Sequence, residues 1–234
     1  MMENHKVDRP FLCPKGCSPV DDRCIEMWDS LRQDQDALDV VISAKGPQYM
    51  NHDGSPMIDE GGVPMMMSNR TVCANSRVLS AASPVLKAML MGDFAEGGTK
   101  TISIDESIEQ ESLDLLIELL YCGSACDDER DSRSHQNFLD VLSLAHRWQV
   151  SYVCDLCTRR LAAAVDAENA ESIAAVATQL GCTDLEEAIR KFARMNDDIN
   201  QQIKEGTLGP ALQMLLSLAE SSGQPKAKKR RCDW

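Results

Sequence analysis

Aromatic side chains are scarce in this chain of 234 residues, in which Phe, Trp and Tyr together make up 4%. Hydrophobic residues nevertheless amount to 43%. That fraction is enough to bury a core in one domain of ordinary size, or in one domain with a small helical annex. Because aromatics are few, aliphatic side chains, Ala and Met must fill this core. The composition excludes a chain that is disordered throughout.

Basic residues are also in short supply, since 24 Lys and Arg face 37 Asp and Glu, for a formal charge of −13. Five of these bases lie within residues 226–231, so residues 1–225 hold 19 bases against 36 acids. Phosphate groups are bound by clustered Lys and Arg. The acidic body of the chain therefore argues against broad binding to nucleic acid and against attraction to an anionic membrane.

Long apolar runs and catalytic motifs are missing as well. No segment approaches the roughly 20 apolar residues that span a bilayer, and residues 1–6 lack the apolar core of a signal peptide. We therefore expect a soluble intracellular protein whose ten cysteines stay reduced. No Walker loop, GxGxxG, HExxH or GxSxG sequence is present. The sequence predicts a protein that is not an enzyme, with no catalytic residue and no cofactor.

Cysteine chemistry is the alternative that the sequence leaves open. Cys154 and Cys157 form a CxxC pair, and Cys13, Cys17 and Cys24 lie near the N-terminus. Zinc sites usually need two such pairs at matched spacing, and a cysteine nucleophile needs a His held beside it. Cys154 and Cys157 fall within one turn of a predicted helix, where a small apolar side chain packs well. We interpret this pair as core cysteines and predict no metal site, with metal and redox roles as the alternatives.

The order of predicted elements indicates an α+β domain with a helical extension. Residues 1–20 contain Pro and Gly without periodicity, which predicts a disordered leader. Short β-branched or alternating runs predict strands at 38–44, 65–73 and 101–104, and Gly and Pro residues make 46–70 a long inserted loop. Helical periodicity then continues to residue 219.

Several helix starts are legible from capping residues. Ser83-Pro84 places a good N-cap before a Pro at the first helical position. Asn169 is the expected cap of a later helix, and Thr183 with Glu186 matches a capping box for the next one. These signals predict separate short helices after residue 83.

The order of motifs resembles the BTB/POZ family. The carrying segments are a strand beginning Asp39-Val40, a helix from Asn75 to Ser83, the triplet Phe94-Ala95-Glu96, and a helix ending Tyr121-Cys122-Gly123. The family has a His where this chain has Asn75, and an aromatic where it has Val85 and Leu86. We expect Asn75 still to bond backbone groups and the aliphatic pair to fill the aromatic site.

The resemblance implies a domain plan and a function. It predicts a BTB/POZ fold, a small sheet flanked by helices, over residues 21–165. Residues 166–219 are similar to the BACK or 3-box helices that follow BTB domains in cullin adaptors, and 220–234 is predicted to be a disordered tail. The implied function is a non-enzymatic substrate adaptor or scaffold subunit of a cullin-RING ubiquitin ligase. The alternative is a self-associating scaffold in a nuclear complex with no ligase role.

Two sets of contact residues follow from the resemblance. The family contacts the cullin through a hydrophobic residue, any residue and then Glu, which Phe94 and Glu96 match. An N-terminal helix of the family packs across a second copy, and residues 22–32 could supply it through Trp28 and Leu31. Burying each such side chain is worth about 1.5–3 kcal/mol. The expected partners are a cullin, a second copy of the chain and a substrate protein that the sequence does not identify.

The C-terminal tail predicts the location of the protein. Lys226, Lys228, Lys229, Arg230 and Arg231 form a basic run that is typical of a monopartite nuclear import signal. The flexible Ser221-Ser222-Gly223-Gln224 spacer should hold it away from the acidic body, whose field is screened beyond a Debye length of about 8 Å in physiological salt. We expect nuclear accumulation, with the cytoplasm as a second location.

Overall fold

The structure, a computed structural model, describes residues 27, 30–46, 51–52, 55–65, 68–122 and 133–222. The chain divides into two compact units, Met1–Cys157 and Thr158–Trp234. Among the described residues, no helix combines the length and the apolar character needed to cross a bilayer.

The first unit is built on a three-stranded sheet in the order β2-β1-β3. Strand β1 is Val40–Lys45, β2 is Arg70–Ala74 and β3 is Thr101–Ser107. The central strand β1 runs antiparallel to β2 and parallel to β3. Its alternate residues Val40, Ile42 and Ala44 are buried, as expected of a strand with one covered face. The predicted strands near residues 38–44 and 101–104 are confirmed.

The strand predicted at 65–73 is wrong in its first half, because β2 begins only at Arg70. Met65 belongs instead to a small hairpin in the 46–70 loop, where its backbone N–H donates to the Met57 carbonyl at 2.8 Å. The Asp59 carboxylate closes the turn by accepting hydrogen bonds from the N–H groups of Gly61 and Val63 at 2.9 and 2.8 Å. Asp side chains commonly bond the backbone of tight turns in this way. The turn therefore sets the pairing of the two methionines.

Helices follow the sheet strands closely in the first unit. After a 3₁₀ turn at Gln35–Ala37 come α1 (Ser76–Ala82), α2 (Pro84–Met91), α3 (Ala95–Thr99), α4 (Gln110–Cys122) and α5 (His135–Arg147). Helix α6 (Ser151–Ala163) contains the boundary between the two units, after Cys157. Helix α4 buries the leucines of one face, Leu113, Leu115, Leu116, Leu119 and Leu120, while Glu111 and Asp114 are exposed on the other. A helix with one wide apolar face packs that face against a core. The predicted aliphatic core is thus organised around α4.

The caps of α1 and α2 follow the sequence. Ser83 is the N-cap of α2, and its hydroxyl accepts from the Leu86 N–H at 3.0 Å while donating to the Trp148 carbonyl. Asn75 is the N-cap of α1, and its Oδ1 accepts from the N–H groups of Arg77 and Val78 at 2.9 and 3.3 Å. Each cap supplies an acceptor for backbone donors that the first turn of a helix leaves unpaired.

The second unit contains α7 (Ala170–Leu180), α8 (Thr183–Met195), α9 (Asp197–Glu205) and α10 (Pro210–Ser222). The Glu171 carboxylate accepts from the N–H groups of Ala211 and Leu212 at 2.8 and 3.1 Å, so a side chain of α7 caps the start of α10. A Cβ on Gly209 would lie 2.3 Å from that carboxylate. The entry into α10 therefore requires glycine, which is the reason for the Gly209-Pro210 start.

Two cap predictions in the second unit need correction. The capping box at Thr183 and Glu186 is wrong, because Cys182 is the N-cap of α8 and makes no side-chain cap hydrogen bond. Asn169 does hold the N-cap position of α7, but its side chain does not cap the helix. Its Nδ2 donates to the Ala164 carbonyl and its Oδ1 accepts from the Asp166 N–H, at 2.8 and 2.9 Å. Asn169 therefore stabilises the turn that precedes the helix.

Candidate functional site

Phe94 is the most prominent feature of the surface that precedes β3. It is the N-cap of α3, in extended conformation, and makes no side-chain cap hydrogen bond. Its side chain is 60% exposed. Glu96 follows in the first turn of α3 and is half-buried. The two predicted contact residues thus lie on one short helix, and the phenyl ring faces solvent.

Met91 adds a second apolar side chain to this surface. It ends α2 and is 61% exposed, three residues before Phe94. Asp93, between them, is exposed as well. Large apolar side chains exposed this close together, with carboxylates beside them, are typical of a protein-interaction surface. We call Met91, Asp93, Phe94 and Glu96 the α3 surface; sequence reasoning found two of its four residues.

The backbone beneath the α3 surface is tied to the central sheet. Lys100, in the left-handed conformation with φ +55°, ends α3 by donating its N–H to the Glu96 carbonyl at 2.8 Å. The Lys100 carbonyl accepts from the Val41 N–H of β1 at 2.9 Å. The Thr99 hydroxyl donates to the Ala95 carbonyl at 3.0 Å. The α3 surface is therefore presented by a short element with fixed ends.

Comparison with known proteins identifies the domain that holds the α3 surface. Residues 63–165 match the family model of the BTB/POZ domain. This chain contains a BTB/POZ domain. The match begins after β1, although β1 is the central strand of the sheet. The resemblance inferred from the motif order is confirmed, and so is the predicted α+β fold class.

One curated relative extends the comparison. Kelch-like ECH-associated protein 1B of Danio rerio is 32% identical to this chain over 123 residues. The alignment covers 53% of this chain and 20% of that protein, so the chain spans about a fifth of its relative's length. The BTB/POZ domain and this similarity together support a protein-interaction role.

The BTB/POZ domain tolerates both departures from the family pattern. At the position of the family's His, the Asn75 side chain bonds backbone groups: beyond its cap, its Nδ2 donates to the Ala37 carbonyl at 2.6 Å. The Asn75 backbone N–H donates to the side-chain hydroxyl of Tyr121 at 2.7 Å. Leu86, at the site of the usual aromatic, is fully buried. An amide that bonds backbone and a buried aliphatic side chain therefore stand in the places of the family residues.

The predicted dimer residues are described only in part. Residues 30–33 are helical, and Leu31 within them is 40% exposed, while Trp28 lies outside the described residues. Next to this segment is an open groove of about 260 Å³ between the N-terminal segment, β2 and α4. Its lining residues are Arg32, Gln35, Leu38, Val72, Cys73, Asp114 and Ile117. The role of Leu31 in a dimer interface stays a prediction.

The core interpretation of the cysteine pair holds for Cys157, which is fully buried, whereas Cys154 is half-buried. Neither cysteine is in a disulfide. Burial, with a smaller effect of Cys154, raises the pKa of the Cys157 thiol far above its usual range. In the second unit, burial and the nearby carboxylates of Glu186 and Asp184 raise the pKa of Cys182. Thiols held protonated in this way are poor nucleophiles and poor metal ligands.

Other predicted sites have no counterpart that the structure describes. Within the described ranges, no three His, Cys, Asp or Glu side chains come together as a group that could hold a metal ion. Cys13, Cys17 and Cys24 lie outside those ranges, as does the basic run at 226–231. Their predicted roles stay predictions.

Proposed function

We propose that this chain is a substrate adaptor or scaffold subunit of a cullin-RING ubiquitin ligase, and that Phe94 and Glu96 contact the cullin. The observation that carries the proposal is the exposure of Phe94 at the place where the family's contact motif is expected. If Phe94 were buried, its side chain would only anchor the core and could not contact a partner. The proposal assigns the chain a non-enzymatic role.

The chemistry of the α3 surface favours a protein partner with an apolar pocket and basic groups around it. An exposed Phe ring supplies a large apolar contact, and interfaces draw most of their binding energy from a few such side chains. Neither Phe94 nor Glu96 has a hydrogen bond or ion pair to another described side chain. Binding a partner therefore breaks no side-chain hydrogen bond or ion pair of these two residues that the structure describes.

Co-purification from cells tests the cullin contact. The full chain with Glu96→Lys should lose the cullin, since the reversal places a cation where the partner is expected to offer a cation. Glu60→Lys is the matched control, because Glu60 is exposed in the same unit at the hairpin turn and carries the same change in charge. It should retain the cullin at full yield.

The possible outcomes separate the functions. Loss of the cullin with Glu96→Lys and its retention with Glu60→Lys support the assignment of the contact to Phe94 and Glu96. A cullin that co-purifies equally with both variants refutes the Phe94–Glu96 contact. If no cullin accompanies the unchanged chain while self-association persists, the alternative holds, namely a self-associating scaffold without a ligase role.

We further propose that the chain forms homodimers through Trp28 and Leu31, and that residues 166–219 form a BACK-like or 3-box-like extension after the BTB/POZ domain at 21–165. The nuclear address is assigned to Lys226, Lys228, Lys229, Arg230 and Arg231. A fluorescent fusion with the last four of these changed to Ala should become cytoplasmic. Unchanged nuclear signal would refute the tail as the address.

A further inference from the structure

Gly97 lies where α3 comes closest to the end of α2. A Cβ at this position would stand 2.9 Å from the Gly92 carbonyl oxygen, 3.2 Å from that of Leu90 and 3.4 Å from that of Met89. All three neighbours are backbone atoms, which cannot move aside as the end of a flexible side chain can. The separation of the two helices at this point therefore depends on the absence of a side chain.

Gly92 makes a second close approach, this time to the exposed ring itself. A Cβ on Gly92 would lie 3.2 Å from Cδ2 of Phe94 and closer still to the Ala88 carbonyl oxygen. The phenyl ring therefore lies close enough to Gly92, the neighbour of Met91, that a side chain at position 92 would crowd it.

We infer that Gly97 and Gly92 are positioning residues of the α3 surface: they fix Phe94 and Glu96 relative to Met91, so that the partner meets three side chains in one arrangement. The inference rests on the proposed function where it concerns partner binding, but the placement of the Phe94 ring is a property of the free chain. A contact surface held in one geometry binds more tightly because less freedom is lost on association.

The chain offers a matched pair of variants for the test. Gly98 is the next residue of α3, and a Cβ there would meet nothing within 4 Å. Gly97→Ala and Gly98→Ala remove the same backbone freedom from the unfolded chain and raise helix propensity alike. Only the first pushes against α2. A difference between the two variants therefore reports the close approach.

Binding of the full chain to a purified cullin scaffold is the first measurement. Gly97→Ala should raise Kd by about tenfold or more, as expected when a central interface contact is displaced. Gly98→Ala should leave Kd unchanged within about twofold, the scatter expected for surface changes that touch nothing. Equal affinities for both variants would overturn the inference.

The second measurement distinguishes positioning from stability. With 4-fluorophenylalanine at position 94, the fluorine resonance should shift in Gly97→Ala and stay in place in Gly98→Ala. A variant that merely lowers the melting temperature does not move a native-state resonance, so an unmoved signal in Gly97→Ala would contradict the inference. This readout needs no cullin. If the unchanged chain fails to bind the cullin, the proposed function fails while the positioning of Phe94 is still decided.

A third measurement needs no variant at all. The Gly97 N–H donates to the Phe94 carbonyl at 3.1 Å and the Lys100 N–H donates to the Glu96 carbonyl at 2.8 Å. Both amides should be protected from hydrogen exchange in the unchanged chain. Exchange at the rate of an unstructured peptide would show that α3 is not held, and would refute the inference even if Gly97→Ala does not fold.

Discussion

Asn75→Ala should destabilise the BTB/POZ domain more than the loss of an ordinary helix cap. The side chain of Asn75 joins two elements. Its Oδ1 accepts from the Arg77 and Val78 N–H groups at the start of α1, and its Nδ2 donates to the Ala37 carbonyl before β1. Alanine removes both functions at once and leaves the Ala37 carbonyl without this donor.

The expected loss of stability is the sum of the lost helix cap and the lost hydrogen bond to Ala37. Replacing an Asn cap by Ala typically costs about 1 kcal/mol. A hydrogen bond lost to a half-buried carbonyl costs about 1 kcal/mol more. We therefore expect Asn75→Ala to lower the free energy of unfolding by about 2 kcal/mol. Asn75→Asp should keep the cap but lose the donor to Ala37, and should cost about 1 kcal/mol.

Asn196→Ala is the control, because Asn196 caps α9 through one hydrogen bond from the Ile199 N–H at 3.0 Å. It should cost about 1 kcal/mol. A urea titration read by pulsed hydrogen exchange and mass spectrometry reports each unit separately. If Asn75→Ala costs no more than Asn196→Ala, the joining role of Asn75 is refuted.

Three further predictions test the domain, the helical unit and the interface. Burial raises the pKa of Asp39, but hydrogen bonds from the Ser76 N–H and hydroxyl outweigh this effect and lower the pKa below 3.8. The ionised carboxylate therefore stabilises the fold above about pH 4, and this stabilisation is lost as pH falls through the folded pKa. Asp39→Asn should make the urea midpoint depend less on pH at the acid end, and an unchanged dependence would contradict this. Gly209→Ala should force the Glu171 carboxylate away from α10 and lower the melting temperature of the second unit by several degrees, about 4–8 °C per kcal/mol at this size. The control Gly98→Ala should leave this melting temperature unchanged, and calorimetry measures both variants. Leu31→Glu should shift a dimer toward monomer in light scattering, with Met195→Glu, at a more exposed apolar site of α8, as control; a monomeric unchanged chain would rule the interface out.

Local signals in the sequence predicted the helix ends correctly where the stabilising contacts are between residues close in the chain. Ser83-Pro84 marks the start of α2 because cap and first turn are adjacent in the chain. Gly181 marks the end of α7, where it adopts φ +67°. Thr183 misled because a capping box requires its Thr to sit one residue before the helix, and here Thr183 is already inside α8. Sequence spacing alone does not fix which residue occupies that place.

The hairpin in the 46–70 loop escaped prediction for a different reason. Its exposed apolar residues, Met57, Ile58, Val63 and Met65, do not alternate with polar ones, so the period of a half-buried strand is missing. The usable signal was the turn itself, Asp59 followed by Gly61 and Gly62. A carboxylate able to bond backbone before two glycines is a turn signal with a mechanism.

Predicting the α3 surface needs both family resemblance and helical geometry. Phe94 and Glu96 could be placed only through resemblance to a family, since three residues carry little pattern. Met91 could have been found from helical geometry. Leu86 and Leu90 lie one turn apart on the buried side of α2, and Met91 follows Leu90 by about 100° around the helix. An apolar residue that far from the buried stripe points toward solvent.

The strand order has a consequence for synthesis of the protein. The central strand β1 is made first, yet Ile42 pairs with Val72 and with Ile102, both much later in the chain. One edge of β1 therefore lacks its neighbour until Ala74 has left the ribosome, and the other edge until Ser107 has. Unpaired strand edges are templates for association with other chains, and long-range pairings form slowly. The nascent chain therefore carries an open edge of β1 from residue 45 until residue 107 of its first unit, Met1–Cys157, and chaperone protection matters during this period of translation.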